Sequence, residues 1–237
     1  MTENRKAAIA LIAGAIGGIV TMILHPTSHD LFMPGQLASI SHLSGVVHTL
    51  AIASMPLLFL GALALSRRLA STDHLSVSAL VVFGFALAAE MVGAVLSGFV
   101  AGGLGGEMIA SGPPASDVWR ILFNYNGRLN QAFIGVSVVA SSTAIVLWSA
   151  SIVRSRRLAP GIGVYGLFLG VATIIAFMSG HLRLDVHGMG LVVFIQAVWY
   201  ITVGILLWRL KETAGRNSEN SRATDLPLAS AASKSQV

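Results

Sequence analysis

Long apolar runs separated by short polar stretches dominate the chain. Six of them, over residues 7–24, 46–66, 76–102, 129–153, 158–180 and 188–208, carry almost no charge. A helix crossing the hydrocarbon core of a bilayer needs about 20 apolar residues, within a range of roughly 17–25. All six runs meet this. The third is long enough to tilt, or to end early at the glycines from Gly102 onward. In lipid, backbone polar groups are satisfied only in helices or closed barrels. The runs are too long and too uniformly apolar for barrel strands, so the pattern predicts an all-α fold. The expected architecture is a bundle of six transmembrane helices over residues 1–210. The stretch 211–237 is polar, rich in Ser and Ala and without apolar periodicity, and is expected to be a disordered cytoplasmic tail.

The polar positions set an expected orientation. Arg5, Lys6, Arg67, Arg68, Arg154, Arg156, Arg157, Arg209, Lys211, Arg216, Arg222 and Lys234 fall on one side, twelve of the fifteen Lys and Arg. Only Arg120, Arg128 and Arg183 fall on the other. The positive-inside rule makes the basic side cytoplasmic and puts both termini there. Trp148, Tyr165 and Trp208, near the inner ends, are expected in an interfacial aromatic belt. The first run is followed by His25-Pro26-Thr27-Ser28-His29 rather than a small-x-small cleavage site, so it is expected to stay as an uncleaved helix. The expected location is a bacterial inner (plasma) membrane.

Composition agrees and excludes several functions. The chain is 54% hydrophobic and only 11% charged, against about 25% charged in soluble domains. The formal net charge of +5 is accounted for by topology, so the partner implied is the lipid bilayer and no nucleic acid. Cysteine is absent, which removes disulfides, thiolate metal sites, covalent CxxCH haem and Cys nucleophiles. The pairs Gly14/Gly18, Gly98/Gly102 and Gly166/Gly170 are small-xxx-small patterns that predict close helix seams, within the chain or between copies.

The chemistry is carried by histidine. Six of the seven histidines, His25, His29, His42, His48, His181 and His187, fall at or near the outward ends of the runs, and only His74 lies opposite. Imidazole binds transition metals and haem iron and titrates near neutrality. His25 and His29 have the four-residue spacing of two ligands on one helical face, interrupted by Pro26. His42 falls in the first loop, His48 about one turn inside the second helix, and His181 and His187 flank a tight turn. Asp30 and Asp185 are neighbouring acids able to ligate or to orient an imidazole. Met22, Met33, Met178 and Met189 add thioethers on the same side, a combination that favours copper over zinc or iron. Neither an HExxH zinc motif nor closely spaced histidine boxes are present. Histidines at helix ends also cap carbonyls, and that reading stays open.

Glu90 lies near the middle of the third run. An ionised side chain at the bilayer centre costs at least ~2.5–3.5 kcal/mol on insertion scales, so Glu90 is a candidate buried acid. Gln196 and Tyr200 form a polar stripe at similar depth and are candidate cofactor contacts, with His48 above them. Few polar groups lie deeper, which predicts a pocket open outward and closed inward. The segment 103–128 reads as an outer loop, with a short interfacial helix at 116–123. Asn126 and Arg128 in it, with Asn130 and Gln131 just beyond, are expected to form an ordered lid or anchor a helix at the interface more than to bind a headgroup. The leading expectation is an outward metal site, copper favoured, for metal handling or redox chemistry. The alternatives are a haem-binding redox protein with an axial pair such as His48 and His187, a proton-coupled transporter of a small molecule or ion using Glu90, and a non-catalytic scaffold or sensor.

Overall fold

The computed structural model describes residues 2–26, 37–70, 74–111 and 115–210. Every regular element among them is helical. The helices are α1 (Glu3–Leu24), α2 (Leu37–Ala70), α3 (Leu75–Val95), α4 (Ala101–Ala110), α5 (Ala115–Ser155), α6 (Pro160–Met178) and α7 (Val186–Arg209). A π-helical turn, Leu96–Val100, joins α3 to α4 without a break. Six spans, counting Leu75–Ala110 as one, are long and apolar enough to cross a membrane. That matches the six apolar runs and fits an integral membrane protein.

Helix ends follow local chemistry. Thr2 caps α1 by accepting the Arg5 N–H, and Asp185 caps α7 by accepting the Gly188 N–H at 2.9 Å. Pro160 opens α6, where its missing N–H costs nothing. Gly180, at φ 75°, turns the chain out of α6.

Three helices run well beyond their apolar cores. The segment expected as the loop 103–128 is almost wholly helical, divided between α4 and α5. The expected interfacial helix is simply the first turns of α5. Hydropathy marks the apolar stretch of a helix and is blind to polar turns that continue it, such as those carrying the Arg120–Asp117 ion pair at 2.8 Å. The glycines of α4 do not end the helix, because Gly102 and Gly105 are buried in packing. His42 likewise belongs to α2 rather than to a loop. The proposed tail 211–237 lies outside the described residues.

The helices pack in chain order: α1 on α2, α2 on α3, α3 on α5, α5 on α6, and α1 back on α7. Glycine sets the closest approaches. A methyl group at Gly14 or Gly61 would strike the facing backbone at Leu58 or Leu11. Gly166 and Gly170 let α6 press onto Ser149 and the Ser142 carbonyl of α5, and Gly98 and Gly102 face His48 and Ser41 of α2. These seams are occupied within the chain.

The end of the bundle that carries the basic loops is filled by aromatic rings. Trp148 packs edge-on to Phe83 at 5.3 Å and stacks with Trp199 at 6.1 Å, and Tyr200 meets Trp199 at 5.3 Å. Trp148 is fully buried and donates its Nε1–H to Ser66 Oγ at 2.8 Å. It is therefore a core residue and not part of an interfacial belt; once its N–H has a partner, its large ring packs best inside. Tyr165 and Trp208 do stay at the surface, with Arg5 set over the Trp208 ring at 5.5 Å.

Candidate functional site

The opposite end of the bundle is open. A cavity of about 400 Å³ runs down between α1, α2, α3, α5 and α7. Its upper wall holds His25, Pro26, Ser44, His48, Asn126 and Asp185; its lower part holds Glu90, Ser137, Ser141, Gln196, Phe83 and Tyr200. The aromatic block closes the bundle beneath it.

At the top, two histidines meet. His25 follows the last residue of α1, where Pro26 disfavours another helical turn. His48 lies three turns inside α2 and is 4% exposed. Their Nε2 atoms are 3.2 Å apart and their rings are near perpendicular, at 71°. Each ring is fixed from behind. His25 Nδ1 is 2.8 Å from the Pro26 carbonyl oxygen, and His48 Nδ1 is 2.7 Å from the Ser44 carbonyl oxygen. A carbonyl only accepts, so both Nδ1 atoms carry the hydrogen. In the neutral rings both Nε2 atoms are then lone-pair donors aimed at one another. Burial pushes His25 below its ordinary value, against the opposing effect of the Pro26 bond, and so favours the neutral form.

The neighbours of His48 explain how it fits. The π-helical turn places Gly98 directly against its ring, and a side chain there would overlap it. Such turns disturb the regular hydrogen-bond ladder. Here the Ser97 carbonyl accepts from Ser44 Oγ at 3.5 Å, and the Leu96 carbonyl accepts from Asn126 Nδ2 at 3.1 Å. The irregular turn is thus held by α2 on one side and α5 on the other.

Below, Glu90 is partly buried and lines the cavity. Its carboxylate accepts from Ser137 Oγ at 3.4 Å. Gln196 donates to Ser141 Oγ and Ser142 Oγ at 3.1 and 3.2 Å. That binds α7 to α5, and Gln196 still lines the cavity wall. Tyr200 is 4% exposed, and among the described residues its hydroxyl has no hydrogen-bond partner; the buried Oδ1 atoms of Asn126 and Asn130 also lack one there. Gln131 donates to the Leu184 carbonyl at 3.0 Å, the anchoring role expected of it.

The structure joins His25 and His48 and leaves the other described candidates apart. His42 is exposed on α2. His181 is exposed, with Nδ1 2.9 Å from Ser179 Oγ. His187 is exposed in the first turn of α7. None of the three lines the cavity. Asp185 does line it, but its carboxylate serves as the cap of α7. The Gly188 N–H holds its pKa below the usual value, helped by the charges of Arg183 and His187. His29, Asp30 and Met33 lie outside the described residues. Met178 is exposed, whereas Met22 and Met189 line the cavity with the histidine pair. Among the described residues no three His, Asp or Glu side chains converge as a metal cage. Sequence reasoning did not single out Ser44, Ser137 or Gly98 as parts of this site. Ser44 is legible afterwards as the residue one turn before His48, and Gly98 as one member of a small-xxx-small pair.

No family model matches the chain, and neither the curated proteins nor the solved structures include a match.

Proposed function

We propose that this is an integral membrane protein that binds copper through His25 and His48 at the outward mouth of its cavity, for metal handling or redox chemistry on that side. The basic loops mark the other end as cytoplasmic by the positive-inside rule, which turns the histidine pair outward, across the plasma membrane.

One observation carries the reading: two Nε2 lone pairs 3.2 Å apart, each on a ring whose Nδ1–H is given to a backbone carbonyl. Metal-binding histidines characteristically donate their second N–H in this way, which fixes the tautomer and raises ligand basicity. Metal–nitrogen bonds of about 2.0–2.1 Å make the edge of a tetrahedron roughly 3.3 Å, so the two nitrogens already stand at that separation. A trans pair on a haem iron would stand about 4 Å apart with bonds of similar length, which disfavours haem here. Met22 and Met189 line the same cavity. Soft thioethers beside imidazole select copper, above all Cu(I), over zinc and harder ions.

A proton shared between the two rings satisfies the same geometry, and metal analysis separates the two readings. Protein purified after growth with copper should carry about one copper per chain. His25→Ala and His48→Ala should each lose it, and a His181→Ala/His187→Ala variant should keep it. Wild type without bound copper, or equal copper in all four proteins, contradicts the assignment.

A further inference from the structure

The histidine pair uses only the mouth of the cavity. The lower part is built differently and calls for a different ligand. Glu90 lines it on one side, and Phe83 and Tyr200, their ring centroids 5.7 Å apart, line it on another. Among the described residues no Lys or Arg lines the cavity at all. Among the described residues Glu90 has one weak hydrogen-bond donor, Ser137 Oγ at 3.4 Å, and no counter-ion. Asn130 lies two turns before Ser137 on α5, with Oδ1 beside Gly93, one turn above Glu90 on α3. That Oδ1 and the Tyr200 hydroxyl are buried without partners among the described residues. Ser54, Ser141 and Gln196 add polar groups, and Met55, Leu58 and Leu87 supply apolar wall.

We infer that the lower cavity is a binding site for a small organic ammonium ion with an apolar, aromatic-sized body. A carboxylate in a low-dielectric site is stabilised by a cation far more than it would be in water. Aromatic faces attract the same cation. A primary ammonium brings N–H donors to oxygens that have none, and its hydrocarbon body covers the apolar wall. The whole cavity, mouth included, is about 400 Å³, within the range of about 300 to 1,000 Å³ of pockets for small organic ligands. This site does not depend on the copper reading, since it shares no side chain with the histidine pair.

The test uses the full chain in detergent, treated with EDTA, and two probes of nearly equal shape: phenethylammonium chloride and the neutral phenethyl alcohol. Binding is followed by calorimetry and by the fluorescence of Trp148 and Trp199, which adjoin Phe83 and Tyr200. Phenethylammonium should bind saturably, with the alcohol weaker by about tenfold to a hundredfold, the range for a hydrogen bond to a charged group. Glu90→Gln keeps the size and shape of the side chain and should bring the two probes to equal, weak affinity. Reloading with copper should leave the wild-type preference intact. Equal affinity of the two probes for wild type, a preference that survives in Glu90→Gln, or no saturable binding overturns the inference. The comparison of probes on wild type decides the matter even if the variant does not fold.

Discussion

Two histidine pairs mark this end of the molecule, and they end differently. His25 and His48 are 23 residues apart in sequence, yet their Nε2 atoms are 3.2 Å apart inside the bundle. His181 and His187 are close in sequence, yet both are exposed, one bonded to Ser179 and one in the first turn of α7. What separates the pairs is burial and the backbone behind each ring. A buried imidazole must satisfy both nitrogens. At the first pair a carbonyl takes each Nδ1–H, which leaves the Nε2 atoms committed to one another or to something between them. At the second pair water can satisfy the rings, and nothing orients them toward a common point.

The contrast can be broken at several places. Trp148→Ala should have the largest effect on folding, a loss of about 3–5 kcal/mol for a large buried ring, read as a fall in the unfolding midpoint. His48→Ala should cost distinctly less stability while losing the copper that wild type retains through purification, because the ring borders a cavity instead of filling a core. If His48→Ala proves as destabilising as Trp148→Ala, the histidine pair is a packing element and the contrast collapses.

Gly98→Val should come next. Its side chain overlaps the His48 ring, and overpacking typically costs about 1–3 kcal/mol. It should also abolish copper binding by displacing Nε2. A Cβ at Gly106 on α4 would meet nothing within 4 Å among the described residues, so Gly106→Ala should gain about 0.5–1 kcal/mol from helix propensity with copper unchanged. Copper retained in Gly98→Val would show that His48 does not need its present position.

The smallest effect is expected beside the second pair. The pKa of Asp185 is lowered by its cap bond to Gly188. Its stabilisation of α7 is therefore fully present above the ordinary carboxylate value of 3.8 and fades as pH falls through the lower folded value. Hydrogen exchange at the Gly188 amide should quicken on that acid limb relative to the intrinsic rate, and Asp185→Asn should remove the dependence. A protection factor that stays flat in wild type counts against the cap.

The apolar pattern alone located all six spans, because lipid solubility is written in every residue of a transmembrane helix. It placed helix ends poorly where polar turns prolong α2 and α5, since those turns gain nothing from lipid and are held by local bonds and packing. The candidate site was legible in its ingredients. His25, His48, Glu90, Gln196 and Tyr200 were each conspicuous as polar groups in or beside apolar helices, and all five line one cavity. Their pairing was not legible. It depends on the π-helical turn at Leu96–Val100 and on carbonyls at Ser44 and Pro26, which have no signature in residue type, and on the room left by Gly98, which the sequence marked only as a close seam. Trp148 shows the converse. Its position near a helix end suggested an interface, but Ser66 on a distant helix supplies the partner that lets it sink into the core.

X-ray absorption at the copper edge tests the central claim most directly. Copper-loaded wild type should show two imidazole nitrogens at about 2.0 Å with a sulfur shell from thioether. His25→Ala and His48→Ala, loaded at high copper, should each lose one imidazole, and His181→Ala/His187→Ala should reproduce the wild-type spectrum. An imidazole count that is unchanged in His25→Ala and His48→Ala, or that falls in His181→Ala/His187→Ala, would contradict the assignment.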